Sequence, residues 1–289
     1  MFIIQSSTVP VYLIVVSALI FISLATIIFN RMIVVVYTLE SSALKAGASI
    51  NIVLASDLHS TKYGKDQSRL LDAIKNQNPD LVLLTGDIID EHYRLFPIER
   101  AMLFLKGIAA LCPVFFVPGN HEFYTRDIAN IRQKLKSFGI HTLSDNYERI
   151  QIKGSHLLIA GIEDPEKEIY EDPGYSQGEA MEKAFAGLSE IASYKILLAH
   201  HPERIESYLK YPFDLVVSGH AHGGQFRIPR IMNGLYAPHQ GLFPKYAGGL
   251  YAYGRQTHIV SRGLAANILP RYFNNPELVV IKLKDSQKP

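Results

Sequence analysis

From Pro10 to Phe29 the chain reads PVYLIVVSALIFISLATIIF, an apolar run with no charge in it. At about 1.5 Å rise per residue, 20 helical residues reach about 30 Å, the thickness of a bilayer's hydrocarbon core. A helix buried in a soluble protein is one alternative, but such helices are rarely so long and so evenly apolar. A cleaved signal peptide is another. It wants a basic leader and an apolar stretch of about 7–15 residues, whereas Met1 to Val9 contains no Lys or Arg. The pattern therefore predicts an uncleaved transmembrane anchor over 10–30, behind a short tail over 1–9. The nearest cations, Arg31 and Lys45, follow the run. Cationic flanks tend to stay cytoplasmic, so the reading expects a single-pass membrane protein whose main domain faces the cytoplasm.

Residues 31–49 read as a connector, and 50–285 as one domain. Within it, apolar runs of strand length alternate with helical patterns, the signature of an α/β layered fold. The strands are expected at Ile50 to Ala55, Leu81 to Thr85, Val114 to Val117, Lys195 to Ala199 and Leu215 to Ser218. Two helices are expected between them. Ser68 to Asn78 places Leu70, Leu71 and Ile74 on one face and stops before Pro79. Arg126 to Phe138 repeats Ile128, Ile131, Leu135 and Phe138 at helical spacing and ends at Gly139. Glu148 to Ile162 reads as two strands around Lys153-Gly154-Ser155. Pro165 to Gly178 and the Gly- and Tyr-rich Gly241 to Tyr253 read as loops.

Composition narrows the chemistry. The formal net charge is +2 with no long basic run, so the footprint of a general nucleic-acid binder is missing and no nucleic-acid partner is expected. Cys112 is the one cysteine. It cannot build a disulfide framework or a thiolate zinc site, and beside an apolar run it reads as a small buried residue.

Each of the five expected strands ends in a polar cluster. These are Asp57-Leu58-His59, Gly86-Asp87-Ile88-Ile89-Asp90, Gly119-Asn120-His121-Glu122, His200-His201 and Gly219-His220-Ala221-His222. Ligands of open α/β sheets gather outside the carboxyl ends of strands, so loops there can bring five distant segments to one point. Alone, an Asp-x-His or a Gly-Asp is more often a cap or turn. Five such clusters in order, each after an apolar run, point to a metal site. Asp, Asn and His without cysteine suit manganese, iron or zinc. Asp87, after a glycine that permits a tight turn, can bridge two ions. His220 and His222, if extended, point to one side and can serve neighbouring ions. Two ions about 3.5–4 Å apart activate water and neutralise phosphate oxygens.

These five clusters resemble the motifs of the calcineurin-like metallophosphoesterase superfamily, over Asn51 to Leu283. The resemblance implies a four-layer αββα sandwich, here preceded by one transmembrane helix. It implies two divalent ions, manganese first, with iron or zinc as alternatives. Asp57, His59, Asp87 and His222 would hold one ion, and Asp87, Asn120, His200 and His220 the other. His121 would be the catalytic acid and Asp90 the carboxylate that orients it, unless Asp90 is a cap. His200 is preferred over its neighbour because it stands two residues before Pro202, which leaves His201 as a lining residue or a bystander. His222-Gly223-Gly224-Gln225, Ser261-Arg262-Gly263, Pro270-Arg271 and Asn275-Pro276-Glu277 are similar to a bacterial branch of membrane-associated phosphodiesterases. That branch includes hydrolases of UDP-2,3-diacylglucosamine in lipid A synthesis. Arg262 would then meet substrate phosphate or form a structural ion pair. The expectation is a hydrolase of phosphodiester or pyrophosphate bonds acting on a lipid-linked substrate at the membrane. The alternatives are a phosphatase or phosphodiesterase of soluble nucleotides or phosphoproteins and a non-catalytic metal-binding scaffold.

Overall fold

The computed structural model describes residues 8–29, 31–90, 97–266 and 271–286, and within its first helix the side chains of 11–22 and 24. Most of the tail 1–9 and Pro270 thus lie outside the described residues. In chain order the strands are β1 (Ile33–Ser41), β2 (Ser49–Ala55), β3 (Leu81–Thr85), β4 (Val114–Val117), β5 (His141–Thr142), β6 (Asn146–Ile152) and β7 (Ser155–Gly161). They continue with β8 (Tyr194–Leu198), β9 (Leu215–Ser218), β10 (Tyr236–Ala237), β11 (Gly241–Leu242), β12 (Gly249–Tyr253), β13 (Gln256–Val260) and β14 (Glu277–Asp285). The helices are α1 (Thr8–Phe29), α2 (Ser68–Lys75), α3 (Ile98–Ala109), α4 (Asn120–Tyr124), α5 (Ile128–Ser137), α6 (Lys167–Tyr170), α7 (Gln177–Phe185) and α8 (Ile205–Tyr208).

Two mixed six-stranded sheets form the centre. The first has the order β1-β14-β2-β3-β4-β5 and the second β12-β13-β9-β8-β7-β6. In the first, β2 to β5 run parallel, β14 is antiparallel to β2, and β1 is parallel to β14. A strand alternates its side chains between two faces, and β2 supplies both layers of core. Its Ile52 and Leu54 pack with Ile159 and Val217 of the second sheet. Its Val53 and Ala55 pack with Leu70 and Ile74 of α2 and Phe104 of α3. On the far face of the second sheet, Leu158 and Val216 meet Met181 and Phe185 of α7 and Tyr208 of α8. The layers are therefore helix, sheet, sheet, helix. Strands buried on both faces read as unbroken apolar runs, which is why β2, β3, β4, β8 and β9 were visible in the sequence.

Three expectations change. Residues 31–49 are not a mere connector, because β1 lies within them and pairs with β14 along its whole length, Ile33 to Ser41 against Glu277 to Asp285. The stretch Pro165 to Gly178 is not all loop: it holds α6 and the start of α7. Likewise Gly241 to Tyr253 contains β11 and β12, and β12 pairs with β13. Among the described residues no helix is long and apolar enough to cross a membrane.

Candidate metal centre

All five clusters lie at the carboxyl ends of β2, β3, β4, β8 and β9, and tight loops turn their side chains inward. Asp57, His59, Asp87, His220 and His222 each have φ between 46° and 66°. Left-handed backbone at non-glycine residues costs energy, and it persists where surrounding structure enforces it, often at functional sites. Here hydrogen bonds enforce it. The Asp57 amide donates to the Gly86 carbonyl (3.0 Å) and the His59 amide to the Asp87 carbonyl (2.9 Å). Gly86 has φ 86°, and a Cβ on it would stand 2.3 Å from the Gly119 nitrogen. Only glycine lets these two loops touch.

Asp87 is the centre of the arrangement. Its Oδ2 lies 3.5 Å from Nε2 of His59 on one side and 3.2 Å from Nε2 of His200 on the other. Its Oδ1 accepts the His121 amide at 2.9 Å. Around the His59 side, one ligand atom each of Asp57, His59, Asp87 and His222 lies within 4.8 Å of the others. Around the His200 side, Asp87, His200 and His220 do the same. Asn120 Oδ1 joins the second group, 3.2 Å from His200 Nε2, and His220 Nδ1 is 3.1 Å from that nitrogen. The Nδ1 proton of His200 goes to the Thr85 carbonyl at 2.6 Å, which leaves Nε2 as its free lone pair.

The cradle fits divalent cations. Asp57 Oδ2, His59 Nε2 and His222 Nδ1 are buried and make no hydrogen bond among the described residues, although buried polar atoms normally find partners. Two buried carboxylates, Asp57 and Asp87, would repel each other without positive charge between them. A Cβ on Gly119 would stand 2.4 Å from Asp87 Oδ1 and 2.7 Å from His200 Nε2, so the wall is kept open at that point.

Asp90 sits behind this wall. Its Oδ2 is 3.0 Å from Nδ1 of His59 and 3.2 Å from Nδ1 of His121. Burial pushes its carboxyl up, but the two imidazoles outweigh that and hold it well below the usual range. Burial alone would lower the pKa of His121. Asp87 and Asp90 outweigh it and push His121 up to about 9.

The family is matched at this geometry. The model of the calcineurin-like phosphoesterases fits residues 50–224. The chain belongs to this family. It is a metal-dependent phosphoesterase with a His/Asp site for divalent metals. The chain is 30% identical over 262 residues to the uncharacterized metallophosphoesterase YkuE of Bacillus subtilis, with 86% of this chain and 85% of that protein covered. It is 29% identical to the phosphodiesterase YaeI of Escherichia coli, covering 82% and 83%. It is also 30% identical to a transmembrane protein with metallophosphoesterase domain of Bos taurus, covering 77% of this chain and 50% of that one. Among solved structures, the 5'-nucleotidase precursor of Thermus thermophilus shares the fold, with a TM-score of 0.53 at 17% identity over 75% of this chain and 49% of that one.

The phosphoesterase structure shows acidic partners for both residues read as substrate contacts. Arg262 pairs with a buried carboxylate. Its Nε and Nη2 lie 2.6 and 2.5 Å from Oε2 of buried Glu277, and its own amide donates to Oε1. It is the structural ion pair that holds the loop after β13 to the start of β14. His201 is buried, with Nδ1 2.7 Å from Glu203 and Nε2 3.0 Å from Asp164. Both nitrogens face carboxylates. Its ring packs 4.1 Å from that of His220 and supports this ligand from behind.

Three residues that the sequence reading gave no role, two of them quoted within its motifs, support the site. Glu122, fully buried, accepts four backbone N–H groups. Oε2 takes those of Asp87 and Gly119 (both 2.8 Å), and Oε1 takes those of Ile88 and Ile89 (2.8 and 2.9 Å). It thereby clips the Asp87 loop to the Asn120 loop. His239 holds Nε2 of His220 with its Nδ1 at 2.9 Å. Arg271, fully buried, donates to the carbonyls of Gly263, Ala265, His222 and Arg262, and fixes the His222 loop together with Asn274, which donates to the His222 carbonyl at 2.7 Å. Glu122 was visible only as the last letter of its cluster. Nothing local marks His239.

Proposed function

We propose that this phosphoesterase hydrolyses a phosphodiester or pyrophosphate bond of a lipid-linked substrate at a membrane surface, UDP-2,3-diacylglucosamine being the first compound to try. The observation that carries the two-metal part is the position of Asp87 Oδ2 between His59 and His200. Asp57, His59, Asp87 and His222 are proposed to hold one ion, and Asp87, Asn120, His200 and His220 the other. Manganese is the first candidate, with iron and zinc next. When bound, such a pair supplies an ionised water and neutralises phosphate oxygens. His121, protonated beside Asp90, is proposed to give its proton to the leaving oxygen. Asp90 positions that ring.

The membrane part rests on other support. Residues 10–29 are uncharged and of bilayer length, and the bovine relative is named a transmembrane protein. We infer that this segment anchors the chain, with the catalytic domain on the cytoplasmic side by the cations at Arg31 and Lys45. An anchored enzyme meets a bilayer-confined substrate by diffusion in two dimensions.

The test is a substrate panel for the full chain in detergent, with manganese, zinc or iron added. UDP-diacylglucosamine, an aryl phosphodiester and simple nucleotides are compared. Preference for the diacylated compound supports the proposal. Equal or better turnover of soluble nucleotides would leave the metal chemistry and remove the lipid substrate.

A further inference from the structure

The strand register settles where the N-terminal helix joins the domain. β2, β3 and β4 are parallel and carry Asp57, Asp87 and Asn120 just past their carboxyl ends. β14 is antiparallel to β2, so its start lies at that same end, and β1 is parallel to β14. The first residue of β1 is therefore at the metal-site end of the sheet. β1 is two strands from β2, about 10 Å at the usual strand spacing. The junction is tied there: Asn275 Nδ2 donates to the Arg31 carbonyl (3.0 Å) and the Ile33 amide to the Pro276 carbonyl (2.9 Å).

An unusual surface continues from this junction to the site. Phe273, close to Asn275 in the chain, is 43% exposed. The Arg227 amide donates to the Tyr272 carbonyl at 3.1 Å and so joins this segment to the loop over 226–245. That loop exposes Ile231 (83%), Leu242 (67%), Phe243 (68%) and Tyr236. It also reaches the metal centre, through the Leu235 amide on the Gly224 carbonyl (2.9 Å) and through His239 on His220. The segment carries no acid of its own, although Glu206 stands near Lys245, and Glu166 and Glu203 near His239. From Leu215 to Pro276 the sequence contains no Asp or Glu, while Arg227, Arg230 and Lys245 lie in this loop. Arg230, Lys245 and Arg31 are exposed.

Apolar tips with cations among them suit the boundary of a bilayer with anionic headgroups. We propose that the domain docks on an anionic lipid bilayer with its metal-site end down, through the 226–245 loop and Phe273. This rests on the membrane reading above and adds to it: the site would open onto the surface from which a lipid-linked phosphodiester is drawn. The occupant is a bilayer because the exposed apolar tips lie at the end of the sheet where the 10–29 segment joins.

The chain contains no Trp, so single substitutions create clean probes. Full-length Leu242→Trp, Leu111→Trp and Phe21→Trp would be reconstituted in phosphatidylglycerol-containing vesicles and quenched with brominated lipid. Leu111 precedes β4, at the opposite end of the sheet. Leu242→Trp should shift to the blue and lose at least about twofold in emission, as for a side chain inserted about 5–10 Å into the interface. Leu111→Trp should keep its emission. If Leu242→Trp is unquenched while Phe21→Trp is quenched, docking is wrong and the anchor stands. If Phe21→Trp is unquenched too, the membrane reading fails with it. Equal quenching at Leu111 also overturns the docking orientation. As a second measure, Leu242→Asp should keep turnover of a soluble aryl diester and lose it on a bilayer-embedded one. An equal loss on both, or none on either, overturns the proposal.

Discussion

Replacing Glu122 by glutamine changes one oxygen to an amide nitrogen and leaves volume almost unaltered. In the native protein each carboxylate oxygen accepts two backbone N–H groups, Asp87 and Gly119 on Oε2, Ile88 and Ile89 on Oε1. Whichever oxygen becomes NH2, two buried donors lose their acceptor and face another donor. An orphaned buried donor costs about 1–3 kcal/mol, so the pair costs about 2–6 kcal/mol. Burial, and then the neighbouring Asp87, push the Glu122 carboxyl up to about 7, against the pull of the N–H donors. The experiment therefore belongs well above that pH, where the wild-type group is ionised and glutamine is not its mimic. Amide hydrogen exchange across 87–89 is the assay. At about 1.4 kcal/mol per tenfold, exchange there should rise about 30-fold to 10⁴-fold. Metal affinity should fall with it, because the same loop carries Asp87. Unchanged protection with full metal content would refute the idea that Glu122 holds the loop.

His121→Ala should keep its metal and lose about 10²–10⁴-fold in rate on poor leaving groups, the usual worth of a general acid, with a smaller loss on acidic leaving groups. An equal loss on all leaving groups would exclude the acid role. Since His121 is raised to about 9 without metal and the proposed acid must be protonated, the wild-type rate on poor leaving groups should fall as pH rises toward that value, bound cations moving the limb lower. His121→Ala should lack that limb. Arg262→Ala should lower thermal stability by freeing buried Glu277, yet leave KM for a soluble diester unchanged; a raised KM at unchanged stability would return Arg262 to the substrate.

Much of the site could be read from the sequence because the centre of this fold speaks locally. Strands such as β3, LVLLT, and β4, VFFV, are buried on both faces and read as plain apolar runs, and the ligands follow them within a few residues. The periphery speaks non-locally. β1 has an alternating, half-exposed pattern, and its partner β14 stands more than two hundred residues away, so it passed for a connector behind an apolar segment. Arg262 and His201 carried the right chemistry for a substrate contact. Their acidic partners, Glu277 and Asp164, come from other segments that only the fold brings close. Glu122 stood in its cluster, but its four donors belong to two different loops, and no spacing announces that convergence.

The central claim is that Asp87 holds two ions side by side for phosphoester hydrolysis. Elemental analysis of the purified full chain, paired with turnover of an aryl phosphodiester, tests it most directly in Asp87→Asn against wild type. The account predicts two ions per chain and metal-dependent turnover in the wild type. The variant should hold fewer than two ions and lose its activity, with its fold retained. Two ions and near-normal turnover in Asp87→Asn would contradict it.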